Sequence, residues 1–390
     1  MIYLDNAATT KTAPEVVEAM LPFFTESYGN ASSIYGLGSA SKKAINQARK
    51  RIAESLNAQP QEIYFTAGGS EADNWALKAT AEAYEQKGRH IITTAIEHHA
   101  ILHTCEYLEK KGFEVTYLGV DEHGMVSPEA VEAAIRPDTI LISIMYANNE
   151  IGTLQPIAEI GEIAHKHGVL FHTDAVQAYG QLPIDVNVCH IDMLSASGHK
   201  LNGPKGIGFL YIRSGVKIRS LIHGGAQERS RRGGTENVPA IVGFGVAVER
   251  ASRIMEEKTA KEIELRDYLI KRLEEVPYCR LNGHPIKRLP NNVNVSFAFI
   301  EGESLLIMLD MKGICASSGS ACTSGALDPS HVLLAIGLKH EEAHGSLRMT
   351  LSEENTKEEL DTVVEAIKES VQKLRAMSPL YEDFVKKQRG

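Results

Sequence analysis

Lys200 lies in Ser195-Ala196-Ser197-Gly198-His199-Lys200, directly ahead of Leu201-Asn202-Gly203-Pro204-Lys205-Gly206. The run Asp192–Ala196 reads as a strand. It ends in small polar residues, and the lysine follows among glycines. Such a turn can present an amine to a carbonyl. A lysine desolvated beside cationic or dipolar groups gives up its proton more easily and becomes a Schiff-base nucleophile. A lone lysine in a turn is as a rule simply solvated. The chemical reading gains weight only from what other segments supply.

Those segments are far apart in sequence and each has a plain reading beside its chemical one. Phe65-Thr66-Ala67-Gly68-Gly69-Ser70-Glu71 reads as strand, glycine turn and helix start. The free N–H groups and helix dipole of such a turn make an anion site. Ser70 could cap the helix and also donate to a phosphate oxygen. The Walker and G-x-G-x-x-G patterns are absent, which disfavours a nucleotide. Asp174 ends the strand-like run Phe171-His172-Thr173. It either caps the next helix or pairs with a protonated ring nitrogen, turning that ring into an electron sink. Gln177, three residues on, could reach a ring hydroxyl. His98 follows the strand candidate His90–Thr94 and could stack on a flat ring while exchanging protons near neutral pH. Its neighbour His99 reads as uninvolved. Asn149 sits in the polar turn Tyr146–Gly152 and could touch both cofactor and substrate. Arg348, in a strand-like segment, offers the guanidinium fork that binds a carboxylate. One cofactor, pyridoxal phosphate, would use the whole set.

The stretch Cys315–Gly325 is almost all small and polar around Cys322. With no apolar pattern to bury, it is expected to be a mobile loop exposing a thiol. A thiolate is the strongest nucleophile a side chain offers near neutral pH. Cys315 follows an apolar region and reads as interior. Cys105, Cys189 and Cys279 read as structural.

A largely parallel α/β sheet must position these groups. Strand candidates at Glu62–Thr66, His90–Thr94, Val115–Gly119, Thr139–Met145, Val169–Thr173, Asp192–Ala196 and Gly208–Ile212 alternate with helical patterns such as Glu71–Gln86, Ala100–Lys111, Pro128–Ile135 and Ile157–His167. Such alternation implies βαβ units. Ligands bind beyond the carboxyl ends of such strands, which is where Ser70, His98, Asn149, Asp174 and Lys200 fall. A long helix, about Pro239–Glu275, leads to a mixed region with strands Asn292–Phe297 and Ser346–Leu351 and helices Glu303–Met311 and Glu358–Met377. The expected division is a large domain over residues 13–255 and a small α+β domain formed by 1–12 and 256–390.

The chain has 390 residues, 43% hydrophobic and 23% charged, with a net charge of −9. That balance argues for a soluble globular protein with a sizeable core and against nucleic acid or acidic lipid as its main partner. The first residues lack a signal-peptide pattern, and the longest apolar run, Ala240–Val248, is too short to span a bilayer. Cytoplasmic residence is therefore expected. Five cysteines without a C-x-x-C pair suggest neither a disulfide scaffold nor a structural metal site.

Assembled, these motifs resemble the cysteine desulfurases of the NifS/IscS type, within the class V aminotransferases. The resemblance runs from Tyr3-Leu4-Asp5-Asn6-Ala7-Ala8-Thr9-Thr10 to Ser346-Leu347-Arg348. It is most specific at Ser197-Gly198-His199-Lys200, His172–Gln177, Arg232-Gly233-Gly234-Thr235 and Ser318–Cys322. It implies a fold type I pyridoxal-phosphate transferase, with a large, mainly parallel-sheet domain and a smaller α+β domain. Lys200 would carry the cofactor, Asp174 face its ring nitrogen, Gln177 its ring hydroxyl, and His98 its ring face. Gly69, Ser70, Ser197 and His199 would hold the phosphate. Thr235 would reach the phosphate in a second copy's site, which implies a homodimer. Asn149 and Arg348 would bind the substrate carboxylate. Cys322 would take the sulfur of L-cysteine as a persulfide, leaving L-alanine, and pass it to an iron–sulfur scaffold protein or another sulfur acceptor. No resident metal is implied, and Cys322 would contact an iron–sulfur cluster only in transit. Selenocysteine lyase, cysteine sulfinate desulfinase, an aminotransferase and a catalytically silent scaffold are the competing readings. The sequence departs from the family pattern at Ala31, Tyr35 and Ser352.

Overall fold

The computed structural model describes residues 1–318 and 329–389, so the expectations for Cys322 lie outside the described residues. Twelve strands are present among them: β1 Ile2–Tyr3, β2 Ile63–Thr66, β3 His90–Thr94, β4 Glu114–Leu118, β5 Thr139–Ser143, β6 Leu170–Asp174, β7 Met193–Ser197, β8 Gly208–Ile212, β9 Cys279–Leu281, β10 Asn292–Phe297, β11 Ile314–Cys315 and β12 Ser346–Thr350. Seven form one sheet in the order β2-β8-β7-β6-β5-β3-β4. Strand β8 runs antiparallel to both of its neighbours, and the remaining pairs are parallel. The α/β expectation therefore holds.

Strands β2, β3, β5, β7 and β8 are buried along their whole length. Helices cover both sheet faces, so the strands read as continuous apolar runs rather than alternating ones. On one side pack Trp75, Leu77, Ile91, Leu141, Met193 and Leu210. On the other pack Ile52, Phe65, Ile142, Phe171, Phe209 and Phe244. Trp75 and Phe244 come from the helices Gly69–Tyr84 and Val238–Leu273.

The 36-residue helix Val238–Leu273 is about 54 Å long. Its first half buries Ile241, Phe244 and Val248 against the large sheet. Its second half buries Leu265, Leu269 and Leu273 in a separate core with Val293, Val295, Phe297, Leu347 and Val364. That core lies on the antiparallel sheet β12-β10-β9 and the helices Gly302–Asp310 and Lys357–Ala376. The chain start joins it, because β1 pairs with β11 and Asp5 bridges to Thr350.

Strand β10, Asn292-Val293-Asn294-Val295-Ser296-Phe297, alternates strictly, a pattern that normally sends the polar face to water. Here both faces are buried. Asn292 and Asn294 each donate a side-chain amide to the carbonyl of Glu150, at 3.1 and 3.0 Å. The small sheet thus grips the turn that carries Asn149.

Helix Pro379–Arg389 returns Phe384 to within 4.8 Å of Phe299 and 5.3 Å of Tyr278, ring to ring. The expected interior position of Cys315 is corrected: it is half-buried, on the short strand β11.

Candidate active site

A cavity of about 310 Å³ opens beyond the carboxyl ends of the strands, lined by Gly69, Ser70, His98, Asn149, Asp174, Gln177, Ser197, His199, Lys200 and Arg348. Strands β3, β5, β6 and β7 are parallel, so the chain leaves each of them at the same edge. His98 follows β3, Asn149 follows β5, Asp174 ends β6, and Ser197 with Lys200 ends β7. The expected residues thus come together from six segments. Thr235 does not join them. It lines a separate hollow with Ala67, Gly206 and Arg232.

Lys200 closes a single 3-10 turn, Gly198–Lys200. Its Nζ donates to the carbonyl oxygen of Ala7 and to that of Ala8, the latter at 2.9 Å. Gln177 Nε2 also donates to Ala7 O, at 3.0 Å, and His199 Nδ1 lies 3.1 Å from Thr9 Oγ1. The segment 5–10 therefore straps the mouth of the site. Its contribution is largely backbone carbonyls, which leave no residue-type signal, and the sequence reading missed it.

Asp174 is 6% exposed, and its Oδ1 accepts from Val176 N at 2.9 Å. No helix starts there, so the bond closes a local turn rather than a helix cap. Burial pushes this carboxyl up to about 6, against the opposing pull of the Val176 N–H and the Lys200 charge. A buried acid so placed gains from a cationic partner. His98 caps the helix His99–Glu109 by accepting from Ala100 N at 3.1 Å. Burial and then the Lys200 charge lower its pKa and favour the neutral ring, and with Nδ1 accepting the Ala100 N–H that ring carries its proton on Nε2. Burial likewise carries His199 down to about 4.

Behind Asp174 lies a buried polar layer that the motifs did not reveal. His172 sits between Ser143 Oγ at 2.9 Å and Ser195 Oγ at 3.0 Å, and burial drives it down to about 3. Asp73 lines the cavity, with Oδ1 buried and without a hydrogen-bond partner. Burial and the Asp174 charge raise its pKa well above the usual range. The i, i+3 and i, i+4 spacing of apolar residues in Gly69–Tyr84 left Asp73 on the buried face, and that was the available signal.

The Gly68-Gly69-Ser70 turn corrects one expectation. The helix begins at Gly69 with Gly68 as its N-cap, so Ser70 lies inside the first turn and is not the cap. No side chain caps this end, and Gly69 and Ser70 of its first turn line the cavity. A Cβ on Gly69 would come within 2.6 Å of Val176 Cγ2, so this turn requires glycine for space.

The donor set fits pyridoxal phosphate. An uncapped helix start with Ser70, Ser197 and His199 suits a phosphate, a buried carboxylate suits a ring cation, and an amine lies with them in the wall.

Residues 2–363 match the family described as aminotransferase class-V. A Methanosarcina thermophila protein named cysteine desulfurase IscS is 62% identical over 97% of this chain and 94% of its own length. A protein of the same name from Clostridium botulinum strain Hall is 57% identical over 99% and 98%. Among solved structures, a NifS-like protein superposes with a TM-score of 0.91 at 41% identity, covering 96% of this chain and all of the other. Another, described as SspA in complex with cysteine, reaches 0.81 at 42% identity, covering 90% and 99%. The chain therefore belongs to the class V aminotransferase family and, within it, to the cysteine desulfurases of the NifS/IscS type.

Proposed function

We propose that this protein is a pyridoxal-phosphate-dependent cysteine desulfurase that takes sulfur from L-cysteine and leaves L-alanine. The observation that carries this reading is one cavity in which Lys200, Asp174, His98 and Arg348 meet. An amine, a ring-facing acid, a neutral imidazole and a carboxylate fork are what amino-acid chemistry on this cofactor requires.

In this reading Lys200 Nζ holds the cofactor covalently, and Asp174 faces its ring nitrogen. Gln177 faces the ring hydroxyl and His98 the ring. The Gly69 and Ser70 N–H groups, with Ser197 and His199, hold the phosphate. Thr235, outside this chain's own cavity, serves the site of a second copy, which makes the working unit a homodimer. Bound there, the cofactor supplies an electron sink that stabilises negative charge on the substrate's α-carbon.

The chain's own residues do the rest. Arg348 and Asn149 hold the substrate carboxylate. Lys200 Nζ, once released, takes the α-proton, and neutral His98 relays protons beside it. The Cys322 thiolate forms an S–S bond with the substrate sulfur while the substrate C–S bond breaks. The carbon keeps that bond's electron pair and takes up a proton, giving alanine. Cys322 is left as a persulfide, and an iron–sulfur scaffold protein or another acceptor receives the sulfur from it.

The test is to incubate the purified holoprotein with L-cysteine, quantify alanine and map the added sulfur by mass spectrometry. Alanine in proportion to sulfur on Cys322 is the expected result. No alanine, or sulfur carried on another cysteine, overturns the reading.

A further inference from the structure

The side chain of Arg348 is only 4% exposed, and its pairing is incomplete. Nη1 donates to the carbonyl of Asn149 at 3.0 Å, and Nη2 donates to Asp5 Oδ1 at 3.0 Å. Nε is buried with no hydrogen-bond partner among the described residues. A guanidinium presents Nε and Nη2 along one edge, and that edge matches the two oxygens of a carboxylate. Half of this edge is vacant and Asp5 holds the other half.

Asp5 can let go at little cost. Its side chain is 21% exposed, so its carboxylate has water to return to. Its backbone is fixed independently. The carbonyl accepts from Ala8 N at 3.0 Å and from the Tyr3 hydroxyl at 3.1 Å, and the residue bridges to Thr350. Rotation of the side chain therefore leaves the strap over Lys200 in place. Arg348 cannot make the opposite move, because it is desolvated and an unpaired buried charge is expensive.

We propose that Asp5 is a displaceable counter-ion, holding Nη2 of Arg348 until the carboxylate of an amino-acid substrate takes the Nε–Nη2 edge. This rests on the reading that Arg348 receives the substrate carboxylate. Asp5 acts through Arg348 and is a positioning residue. It keeps the arginine oriented, and it makes carboxylate ligands compete with a built-in one, so that stray small anions are held off.

The experiment compares wild-type holoprotein with Asp5→Asn, titrating each with L-alanine through the cofactor absorption and with acetate as competitor. Asn retains an acceptor for Nη2 but not the charge. Affinity for both ligands is expected to rise about tenfold in D5N, with KM for cysteine falling more than kcat does. Asp5→Glu, which keeps the charge, is expected to return these affinities toward wild type. Unchanged or weaker carboxylate binding in D5N overturns the inference, even if its thermal stability drops. A second measurement needs no variant: a crystal structure of wild-type holoprotein with L-alanine. The expected result is a ligand carboxylate on Nε and Nη2 with Asp5 beyond hydrogen-bond range. Asp5 still bonded to Nη2 beside a ligand held on Arg348 overturns this inference alone. A ligand carboxylate bound elsewhere overturns it whatever the turnover. If cysteine also yields no alanine, the proposed function falls with it.

Discussion

Glu97 Oε1 accepts the hydroxyl of Thr94 at 2.7 Å, inside a turn where the whole glutamate is buried. The same carboxylate takes the N–H of Met145 at 3.0 and 3.1 Å. It therefore ties the end of β3 to the end of β5, one residue before His98. Burial outweighs these bonds and pushes Glu97 up to about 8.

That placement gives a stability prediction with a definite sign. A carboxyl whose pKa rises on folding binds more protons in the native state. Between its ordinary value and about 8, stability therefore falls as pH rises, by about 1.4 kcal/mol per pH unit at most. Glu97→Gln removes this titration. Urea melts of the apoprotein at pH 5.5 and 8 are expected to show a smaller loss in the variant than in wild type. Equal losses would mean that Glu97 does not keep its proton.

Gly69 and Val176 define a second test. The 2.6 Å clash of an added Cβ with Val176 Cγ2 must move either the Gly68-Gly69-Ser70 turn, proposed to hold the phosphate, or the residue two beyond Asp174. Overpacking of this kind costs about 1–3 kcal/mol, so cofactor affinity in Gly69→Ala should weaken about 10- to 100-fold. Val176→Ala makes room, and the double variant should recover most of the loss. Equilibrium titration of cofactor onto the four apoproteins measures the coupling. Additive effects would refute the steric account.

If Asp174 faces the ring nitrogen as proposed, it should set the pH dependence of cofactor capture. Its charge would attract a ring cation, and burial places its own protonation near 6 before any cation arrives. As pH falls below that value the acid becomes neutral, and cofactor association should weaken. In Asp174→Asn that dependence should vanish, leaving only the titration of the phosphate, which both proteins share. Stopped-flow association from pH 5 to 8 separates the two. Parallel profiles would place the ring nitrogen away from Asp174.

How much of this was legible beforehand depends on where each signal resides. Strands β3, β8 and β10 and the helix Ile157–His167 coincide with their sequence expectations residue for residue. Each is a coherent pattern bounded by glycine, proline or polar turns, so local chemistry and burial agree. The 20-residue helix Gly36–Ser55 was not read from the sequence. Its buried face includes Gly38, Ser41 and Arg49, and the arginine's charge is met by Glu228, from far along the chain, at 2.5 Å. No local period reports such a partner. In the site, side chains with distinctive chemistry were found and their neighbours were not. Ala7 and Ala8 act through carbonyls that any residue would supply. Asp73 and His172 are ordinary letters until the sheet stacks them behind Asp174.

The proposed function divides the reaction between Lys200 and Cys322, and that division can be observed directly. In that reading the amine handles the α-hydrogen and the thiol handles the sulfur. Lys200→Ala removes the covalent attachment point, so borohydride reduction of that variant should fix no cofactor to the chain. Its rate should fall by about 10²–10⁴-fold or more. Cys322→Ser changes none of Lys200, Asp174 and His98, which line the cavity. In deuterated water it should still exchange the α-hydrogen of cysteine, seen as mass gain in recovered substrate, while forming no alanine. Exchange without desulfuration in C322S, and neither in K200A, is the pattern a two-part mechanism requires. Alanine formation in C322S would hand the sulfur chemistry to a different group. Loss of exchange in C322S would mean that the thiol acts earlier, at the α-carbon, and the two roles could no longer be assigned to separate residues.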